Sequence, residues 1–376
     1  MVWAVEWFQP MSGTVGGMVP AQAGTPWAVP LNATATATIT VPKDQVRGVP
    51  AVWRSQWSGG MVISHDDHVV LLGVIDEEPD EDLHTVTYHL ADVRAILDRR
   101  FVMSRYYLPH EVAAMAASEV AYSGLSLGSI AWRLVENAMG RPFGALPIVH
   151  GSPDELTGHQ RTYPGSELQH NSIGKRISEI SGVIDGPDIM FVGERVDAGL
   201  ARWVMIHGSE NEPQLPQVRE PVVFDQSAAH AAQLTALGVK SDGSRVAQRV
   251  YASAPGPQTG DGTVSEPLWA IAETPGAPGV PLIERHVSSQ SETLALLQRD
   301  ARMAALAGQH PARQLSLTVR MDDPARPYGT GWQVGDACEV QTAGWLSIPD
   351  GVHARRIVAA RGQIGSELVT VDFQEV

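Results

Sequence analysis

The chain has 376 residues, of which 43% are hydrophobic and 18% are charged, and its formal net charge at pH 7 is -15. Its length exceeds what one ordinary core organises, and its negative charge argues against a protein that wraps nucleic acid by neutralising phosphates. The single cysteine, Cys338, excludes a disulfide within the chain and is expected to be a small buried residue of a strand.

Glycine and proline are frequent in the chain, with 36 and 26 residues respectively. Such frequent turning favours many short strands over long helices. The first residues lack a basic region followed by a long apolar run, and no stretch approaches the roughly 20 apolar residues that cross a bilayer. We therefore expect a soluble protein that is made in the cytoplasm.

The clearest periodic segment near the amino terminus runs from Leu31 to Val41. Apolar residues, many of them alanines, alternate there with an asparagine and four threonines, which predicts a strand with one buried face. Small side chains on that face predict a close neighbour, as inside a small barrel, and Pro42 ends the strand. The next predicted elements are two strands of a hairpin with a four-residue tip, a third strand and a helix, at 60–64, 69–76, 84–90 and 91–101.

The middle of the chain mixes helices with strands. The range 108–140 is helical in character, and Ser129 is predicted to cap a helix that the final glycine of this range ends. A second helix is predicted over 172–180. Strands are predicted at 188–196 and 201–207, so this part of the chain is expected to be an α+β unit.

The region that follows shows the least regular pattern of apolar residues in the sequence. Two stretches rich in Gly, Pro, Ser and Thr, at 254–266 and 274–281, are predicted to be exposed excursions. Ser289 or Ser291 is predicted to cap a helix that ends at Gly308. Four strands are predicted to complete the chain, at 313–321, 333–341, 353–361 and 367–373.

The run from Gly329 to Ile348 has glycines and turn residues spaced as in a pair of twisted strands of a barrel. Gly335-Asp336 is predicted to reverse the chain, and Gly344-Trp345 to start the next strand after another turn. The apolar faces are expected to come from Trp332, Val334, Ala337 and Val340. The carboxylates in and next to this run are Asp336, Glu339 and Asp350. Because an aspartate in a turn usually accepts hydrogen bonds from its own backbone amides, no catalytic role is predicted for Asp336.

Together these elements predict a β-rich α+β fold with three domains. Residues 1–100 are predicted to form a barrel-like β domain, and residues 101–207 a smaller α+β domain. Residues 208–376 are predicted to form a second barrel-like domain, with one long helix and exposed loop insertions. The β-rich texture at both ends of the chain is compatible with two related barrels.

Two clusters carry residue types that bind metal ions. Neighbouring residues of a strand face opposite ways, so the four ligands in His65-Asp66-Asp67-His68 are not expected to reach one ion, and a solvated hairpin tip is predicted. The second cluster lacks the glycine of the known calcium loop and is predicted to be a solvated turn. Its members are Asp76, Glu77, Glu78, Asp80, Glu81 and Asp82.

The sequence carries none of the common catalytic motifs. It has no H-E-x-x-H, no G-x-S-x-G before a helix, and a glycine-rich stretch at 13–18 without the lysine of a phosphate loop. We therefore predict no catalytic residue, no cofactor-binding residue and no metal ligand. A carboxylate pair for glycoside cleavage stays open, because two acids need only meet in space at about 5 to 9 Å.

Five tryptophans crowd the first sixty residues. Each is expected in a core, but several exposed together would mark a protein interface, where tryptophan is enriched. These residues are Trp3, Trp7, Trp27, Trp53 and Trp57.

Over most of the chain, the order and residue character of these segments resemble those of the tail hub, or baseplate hub, proteins of long-tailed phages that infect actinobacteria. Such proteins are commonly labelled minor tail proteins. The resemblance rests on the order of several segments along the chain. They are the strand 33–41 followed by Pro42-Lys43-Asp44, the hairpin return 70–75, the helix 130–139, the segment 168–192, and 331–336 with 357–359.

The resemblance implies a structural protein, not an enzyme, that forms a homotrimer at the distal end of the tail tube of a siphophage virion after synthesis in the host cytoplasm. Two barrel-like domains per subunit would place six barrels in a ring around a lumen for DNA passage, and the other domains would form a cup. The implied partners are sister copies, the distal tail protein, the tape measure protein, and tip or fibre proteins. No cofactor, sequence-specific nucleic-acid binding or membrane insertion is implied.

The residues leave two other functions open. A tail-associated cell-wall glycan hydrolase would use some of the many carboxylates, and a receptor-recognition module would bind surface glycans through exposed tryptophans. Two properties of the sequence agree with a hub. A β-rich subunit can pair its strands with those of neighbouring subunits, which removes adhesive sheet edges. A negatively charged protein can line a lumen that repels passing DNA.

Overall fold

The chain is described here from a computed structural model, over residues 2–183, 185–217, 219–225, 234–255, 266–275, 279–289, 293–323, 326–346 and 348–375. It folds into two compact units. The first unit consists of Met1–Leu237 and Leu317–Val376, and the second of Gly238–Ser316.

The strands and helices of the first unit begin with a β-rich stretch. Its strands are β1 (Trp3–Phe8), β2 (Val15–Met18), β3 (Pro26–Pro30), β4 (Thr36–Pro42), β5 (Gly60–His65), β6 (His68–Ile75), β7 (Asp80–Glu81) and β8 (Thr85–Ala91). Its short helices are α1 (Lys43–Val46), α2 (Ala51–Arg54) and α3 (Arg94–Leu97). A mixed stretch follows, with α4 (Val112–Ala116), β9 (Glu119–Leu125), α5 (Leu127–Met139), β10 (Ile148–His150), β11 (His159–Pro164), a 3-10 helix (Gly165–His170), α6 (Ile173–Ser181), β12 (Ile189–Asp197) and β13 (Leu200–His207).

The remaining elements complete both units. They are β14 (Val222–Asp225), β15 (Leu234–Asp242), β16 (Arg249–Ala254), β17 (Leu268–Glu273), β18 (Glu284–Ser288), α7 (Leu294–Ala307), β19 (Ala312–Arg320), β20 (Ala337–Thr342), β21 (Gly351–Gln363) and β22 (Leu368–Glu375). The boundary between the units falls inside β15 and β19.

Of the strands in the described ranges, fourteen belong to one large sheet. They follow the order β15-β19-β22-β21-β3-β4-β8-β6-β5-β1-β2, with β20 beside β21, β14 beside β20, and β7 beside β8. β3 is antiparallel to β21 on one side and to β4 on the other, so amino-terminal and carboxyl-terminal strands share this sheet. Within the described ranges, none of the sheets closes on itself. The predicted β-rich α+β class is confirmed, while the two barrel-like domains and their boundaries stay predictions.

A smaller sheet, β10-β13-β12, packs on β6 of the large sheet. β12 approaches closely because Gly193 has no side chain there, and a Cβ at this position would lie 2.6 Å from a methyl group of Val69. The fully buried indole of Trp203 donates a hydrogen bond to the Leu72 carbonyl at 2.9 Å. Helices α5 and α6 pack on each other and complete the same apolar core.

Buried polar groups join the amino-terminal sheet to the segment before β12. The carboxylate of Asp92 accepts hydrogen bonds from the backbone N–H groups of Ala35 at 3.0 Å and Arg94 at 2.8 Å. The Arg94 guanidinium donates to the carbonyls of Asn32 at 3.0 Å and Ile189 at 2.7 Å. The Asp92 carboxylate and the Arg94 guanidinium therefore hold backbone segments in place, as buried polar groups generally do.

The same polar contacts continue to the carboxyl-terminal strands. Asn32 has a left-handed φ of 58° and donates through its amide to Asp188 at 2.6 Å. Asp188 forms an ion pair with Arg356 of β21, and both side chains are largely buried. The Nε of Arg356 donates to the Gly335 carbonyl at 3.0 Å. We call Asp92, Arg94, Asn32, Asp188 and Arg356 the polar chain.

The second unit is a three-stranded sheet covered by one helix. β16 lies between antiparallel β17 and parallel β18, and α7 packs on β16 and β17. Its small core is rich in alanine, with Val250, Leu297 and Ala301 fully buried. The helix ends at Gly308, as predicted.

Helix caps differ from two of the predictions. Ser126, three residues before the predicted cap, accepts a hydrogen bond from the Ser129 N–H at 3.2 Å and starts α5. Thr293 caps α7 in the same way, while Ser289 donates to Asp300 and Ser291 lies outside the described residues. Ser129 lies inside the first turn of α5, whereas Ser289 and Ser291 stand too far before α7. Only the residue directly before the first helical residue can bring its side-chain oxygen to the N–H groups of the first turn.

Several element boundaries also differ from the predictions. The strand predicted from Leu31 begins only at Thr36, after a turn in which Asn32 has a left-handed φ. The range 108–140 contains β9, which pairs with β11, so its helical character was wrong over that strand. The helix predicted over 91–101 is the short α3 flanked by turns. Pairing between strands distant in sequence overrides local propensity here.

The run from Gly329 to Ile348 is less strand-like than predicted. Gly335, with a φ of 99°, and Asp336 do reverse the chain, but the strand begins only at Ala337. Gly344-Trp345 does not start a strand, since β21 begins at Gly351. The carboxylate of Asp350 instead accepts a hydrogen bond from the Gly344 N–H at 2.6 Å and holds a loop. Cys338 and Trp332 are buried, as predicted.

The two predicted excursions lie partly outside the described residues, at 256–265 and 276–278. Among the helices that the structure describes, none is long and apolar enough to cross a membrane.

We expect Trp332→Ala to lower the free energy of unfolding by about 3 to 5 kcal/mol, the usual cost of removing a buried aromatic ring. The indole is 2% exposed and contacts Tyr328 and Phe224 edge-on, at centroid distances of 4.9 and 5.9 Å. Urea denaturation followed by circular dichroism measures the change. The control is Trp269→Ala, whose side chain is 58% exposed, and an equal effect of the two substitutions would contradict the core role of Trp332.

Candidate assembly surfaces

The hairpin tip between β5 and β6 separates its four polar residues into two pairs. Asp66 and Asp67 form a two-residue turn, both with positive φ, and are exposed. His65 is 4% exposed, and its Nε2 lies 2.8 Å from a carboxylate oxygen of Glu367. The prediction of a solvated tip is thus right for the aspartates and wrong for His65, which the carboxyl-terminal strands cover. In the described part of the chain, no group of three or more His, Cys, Asp and Glu side chains could hold a metal ion.

His68 packs on the turn that precedes Trp332. Its ring lies edge-on to Tyr328 at 5.5 Å, and a Cβ on Gly329 would overlap that ring. Burial, together with the positive charges of Arg219 and His65, lowers the pKa of His68 to about 4. His68 is therefore a packing residue, held neutral at physiological pH.

Asp336 has the structural role that its turn position predicts. Its carboxylate accepts a hydrogen bond from the Gln333 N–H at 2.9 Å, and a guanidinium nitrogen of Arg219 lies 3.6 Å from the same oxygen. Burial raises the pKa of Asp336. Its contacts hold the turn.

A cavity of about 340 Å³ lies in the first unit, and its lining includes two carboxylates, Asp92 and Glu194. Burial raises the pKa of Asp92 to about 6, against the opposing effect of its two backbone hydrogen bonds. Glu194 accepts a hydrogen bond from Arg202 at 2.5 Å. Both carboxylates therefore have hydrogen-bond partners within the fold, as is general for a buried group such as Asp92.

The amino-terminal tryptophans do not form an exposed aromatic surface. Trp7 and Trp27 are buried, which confirms the core expectation for them, and the other three are half-buried. Trp3 packs on Trp27 and His65, at centroid distances of 6.2 and 5.0 Å.

An exposed acidic turn, residues 76–83, projects from the large sheet between β6 and β8. The carboxylate of Asp82 accepts hydrogen bonds from the backbone of His84 at 2.7 Å and Thr85 at 2.6 Å, which lowers its pKa. Asp80 pairs with His89 at 3.0 Å. The prediction of a solvated acidic turn is confirmed. The sequence interpretation missed its last residue, Leu83, an aliphatic side chain that is 82% exposed.

A groove of about 390 Å³ opens beside the end of α5. We call it the arginine groove and define it by Arg100, Tyr106, Leu108, Val112, Arg141 and Phe143. Its four apolar side chains are each at least half exposed, and Phe143 reaches 90%. Phe143 has a φ of 59°, which is strained for an aromatic residue and points to a constraint beyond local preference.

The two arginines of this groove donate hydrogen bonds to carbonyl oxygens and keep their positive charges. Arg100 donates to the Gly144 carbonyl at 2.5 Å, and Arg141 donates to the Asn137 carbonyl at 3.2 Å and its side-chain oxygen at 2.7 Å. Burial lowers the pKa of both guanidinium groups. Among the carboxylates that the structure describes, none forms an ion pair with either of them. The groove thus combines exposed apolar surface with two positive charges.

The edge of the large sheet at β2 is another exposed feature. This strand is the last of its path, has the sequence Val-Gly-Gly-Met, and ends at Met18, which is 61% exposed. The start of this strand is covered, because the Val15 N–H donates to the Gly199 carbonyl at 2.8 Å, whereas Gly17 and Met18 are exposed. The exposed end carries neither charge nor proline, two of the usual protections of a sheet edge. The groove and this exposed end are unprotected surfaces of the kind that mark protein contacts.

No protein-family model matches the sequence, and no curated protein matches it. Solved structures do match. The tail protein from Neisseria meningitidis MC58 has a TM-score of 0.56 at 13% identity, over 100% of this chain and 97% of that chain. The 43 kDa tail protein of prophage MuSo2 from Shewanella oneidensis has a TM-score of 0.59 at 10% identity, over the same shares. A chain of the Francisella PdpA-VgrG complex has a TM-score of 0.51 at 8% identity, over 100% of this chain and 58% of that chain.

At these identities the likeness shows the fold alone. Along its whole length, this chain is similar in fold to tail proteins, one of which belongs to a prophage. The resemblance inferred from the order of sequence segments is confirmed at that level. The narrower attribution to phages of actinobacteria stays a prediction.

We expect Gly329→Ala to destabilise the fold more than Gly344→Ala. Both glycines have positive φ, at 89° and 78°, so both substitutions cost about 1 to 2 kcal/mol of backbone strain. A new Cβ at Gly344 meets open space, whereas one at Gly329 overlaps the His68 ring. Urea midpoints of the two variants measure the difference, and equal midpoints would contradict the close contact.

We expect the free-energy difference between the wild type and His68→Gln to depend on pH. The pKa of His68 is lower in the folded than in the unfolded state, so its contribution to stability is present above about pH 6.5 and is lost as pH falls towards 4. The difference in unfolding free energy should shrink by roughly 2 to 3 kcal/mol over that interval. Denaturation at pH 8 gives the baseline, and a constant difference would show that His68 titrates normally.

Proposed function

We propose that this chain is the structural tail hub of a long-tailed phage that infects actinobacteria, and that it is not an enzyme. The observation that carries this proposal is the full-length similarity in fold to the Neisseria and Shewanella tail proteins, which extends over 97% of each of those chains. Fold alone does not fix function, so the role rests on the surfaces as well. Exposed apolar surface and an unprotected sheet edge suit a protein that assembles with others.

In this proposal three copies form a ring that closes the distal end of the tail tube. Each copy contributes two barrel-like domains, residues 1–100 and 208–376, and residues 101–207 belong to the cup. Contacts between sister copies cover the sheet edge at β2. A closed ring of this kind leaves no unpaired copy, which protects adhesive edges from open-ended association.

The proposed partners follow from that position in the virion. The distal tail protein lies above the ring, the tape measure protein inside it, and tip or fibre proteins below it. A formal charge of -15 per chain supports a lumen that repels DNA during ejection and does not bind it sequence-specifically. Membrane insertion is not part of this role.

A cell-wall glycan hydrolase or a glycan-binding module is less well supported. Asp92 and Asp336 accept hydrogen bonds from backbone amides. Among the early tryptophans, Trp7 and Trp27 are buried. The hydrolase is tested by incubating purified cell wall with the wild type and with the variants Asp92→Asn and Asp336→Asn. Release of soluble fragments by the wild type and by Asp336→Asn, but not by Asp92→Asn, would support a hydrolase.

We expect the purified chain to be a trimer of 40.4 kDa subunits. Light scattering coupled to gel filtration, or native mass spectrometry, measures the mass directly. A stable monomer at micromolar concentration that degrades cell wall would contradict both the trimer and the non-enzymatic role.

A further inference from the structure

We propose, on the basis of that trimer, that the acidic turn of each copy docks into the arginine groove of its neighbour, with Leu83 inserted among the apolar side chains of the groove. This assigns an occupant, a second copy of the same chain, to the exposed apolar groove beside the end of α5. It also assigns a role to an acidic turn that binds no ion by any arrangement seen in the described residues.

The groove presents the chemistry of a site for an acidic, aliphatic segment. Leu108, Val112 and Phe143 expose half or more of their side chains to solvent, a cost that burial against a partner removes. Arg100 and Arg141 are half-buried and bonded to backbone carbonyls, with no carboxylate contact among the described residues. Guanidinium groups in such a position favour a partner that brings carboxylates.

The acidic turn carries the complementary chemistry on one short segment. Six carboxylates lie between Asp76 and Asp82, and the exposed Leu83 follows them directly. Within its own chain, the turn is anchored by Lys43, His89 and Thr85, none of which belongs to the groove. Its backbone hydrogen bonds preorganise the turn, so docking loses little conformational entropy.

A second copy of the chain brings the complementary charge itself, because one sequence contains both the acidic turn and the arginine groove. The chain has a net charge of -15, so two copies repel each other unless they meet through local regions of opposite sign. The groove supplies two arginines to the contact, and the turn supplies the exposed carboxylates of Glu77 and Glu78. Because the groove and the turn are different surfaces, the contact is heterologous, and three copies related by a three-fold axis satisfy every groove once.

Cysteine cross-linking tests the contact directly. The single native cysteine, Cys338, is 2% exposed, so introduced thiols react in a nearly silent background. A full-length chain with both Leu83→Cys and Phe143→Cys should, under mild oxidation, give disulfide-linked dimers and trimers on a denaturing gel. A mixture of the two single variants should give a dimer band that neither variant gives alone.

Association measurements with a matched control test the energetics. Leu83→Asp should raise the dissociation constant between subunits about tenfold or more, whereas Leu156→Asp, at 85% exposure and outside both surfaces, should leave it unchanged. Phe143→Asn should weaken association without lowering the melting temperature of the dissociated chain, because asparagine tolerates the left-handed φ. Raising the salt concentration should weaken the wild-type contact, since exposed charges are screened.

The outcomes separate this contact from the tail hub role. A trimer that gives no cross-link, and that Leu83→Asp and Leu156→Asp affect equally, overturns the docking contact and leaves the hub standing. Specific cross-linking of an acidic segment from another tail protein into the groove, in place of the turn, overturns it as well. A wild-type chain that is monomeric at every concentration overturns both.

Discussion

A set of polar contacts joins segments of the first unit that are distant in sequence. Asn32, Asp188 and Arg356 bring together the loop before β4, the start of β12 and the middle of β21. Replacing a buried ion pair by apolar residues is often neutral, but removing one partner leaves an uncompensated charge and typically costs about 3 to 5 kcal/mol. The main effect of the polar chain is therefore to favour one arrangement of these segments over others. Its net contribution to the free energy of unfolding is smaller.

That constraint determines how the first unit is built. With β21 held beside β3, the carboxyl-terminal strands cover the hairpin tip, which buries His65 against Glu367 and places Gly329 against His68. The close approach of a glycine to an imidazole leaves no room for a charged, hydrated ring, and this is why the pKa of His68 falls. His65, Glu367 and His68 are therefore held at this junction by the packing of the strands, and none of them needs a catalytic role to explain its position.

The surfaces that the fold leaves uncovered have a different character from the core. The sheet does not close within the described residues, the edge at β2 lacks charge and proline, and the arginine groove keeps Phe143 in a strained backbone conformation with its ring in solvent. Strain of this kind persists where surrounding structure or a partner requires it. These features agree with the assembly role proposed above.

The sequence by itself determined the local features: the period-two strand that ends at Pro42, the end of α7 at Gly308, the reversal at Gly335-Asp336 and the burial of Trp332. Each depends on side-chain alternation, on glycine or on apolar surface, which act over a few residues. Only the tertiary structure decided the pairing of β3 with β21, the burial of His65 and the convergence of Arg100, Leu108 and Phe143 in one groove. These depend on contacts between residues far apart in the chain, whose partners no local pattern specifies, because register and packing are chosen by the whole fold.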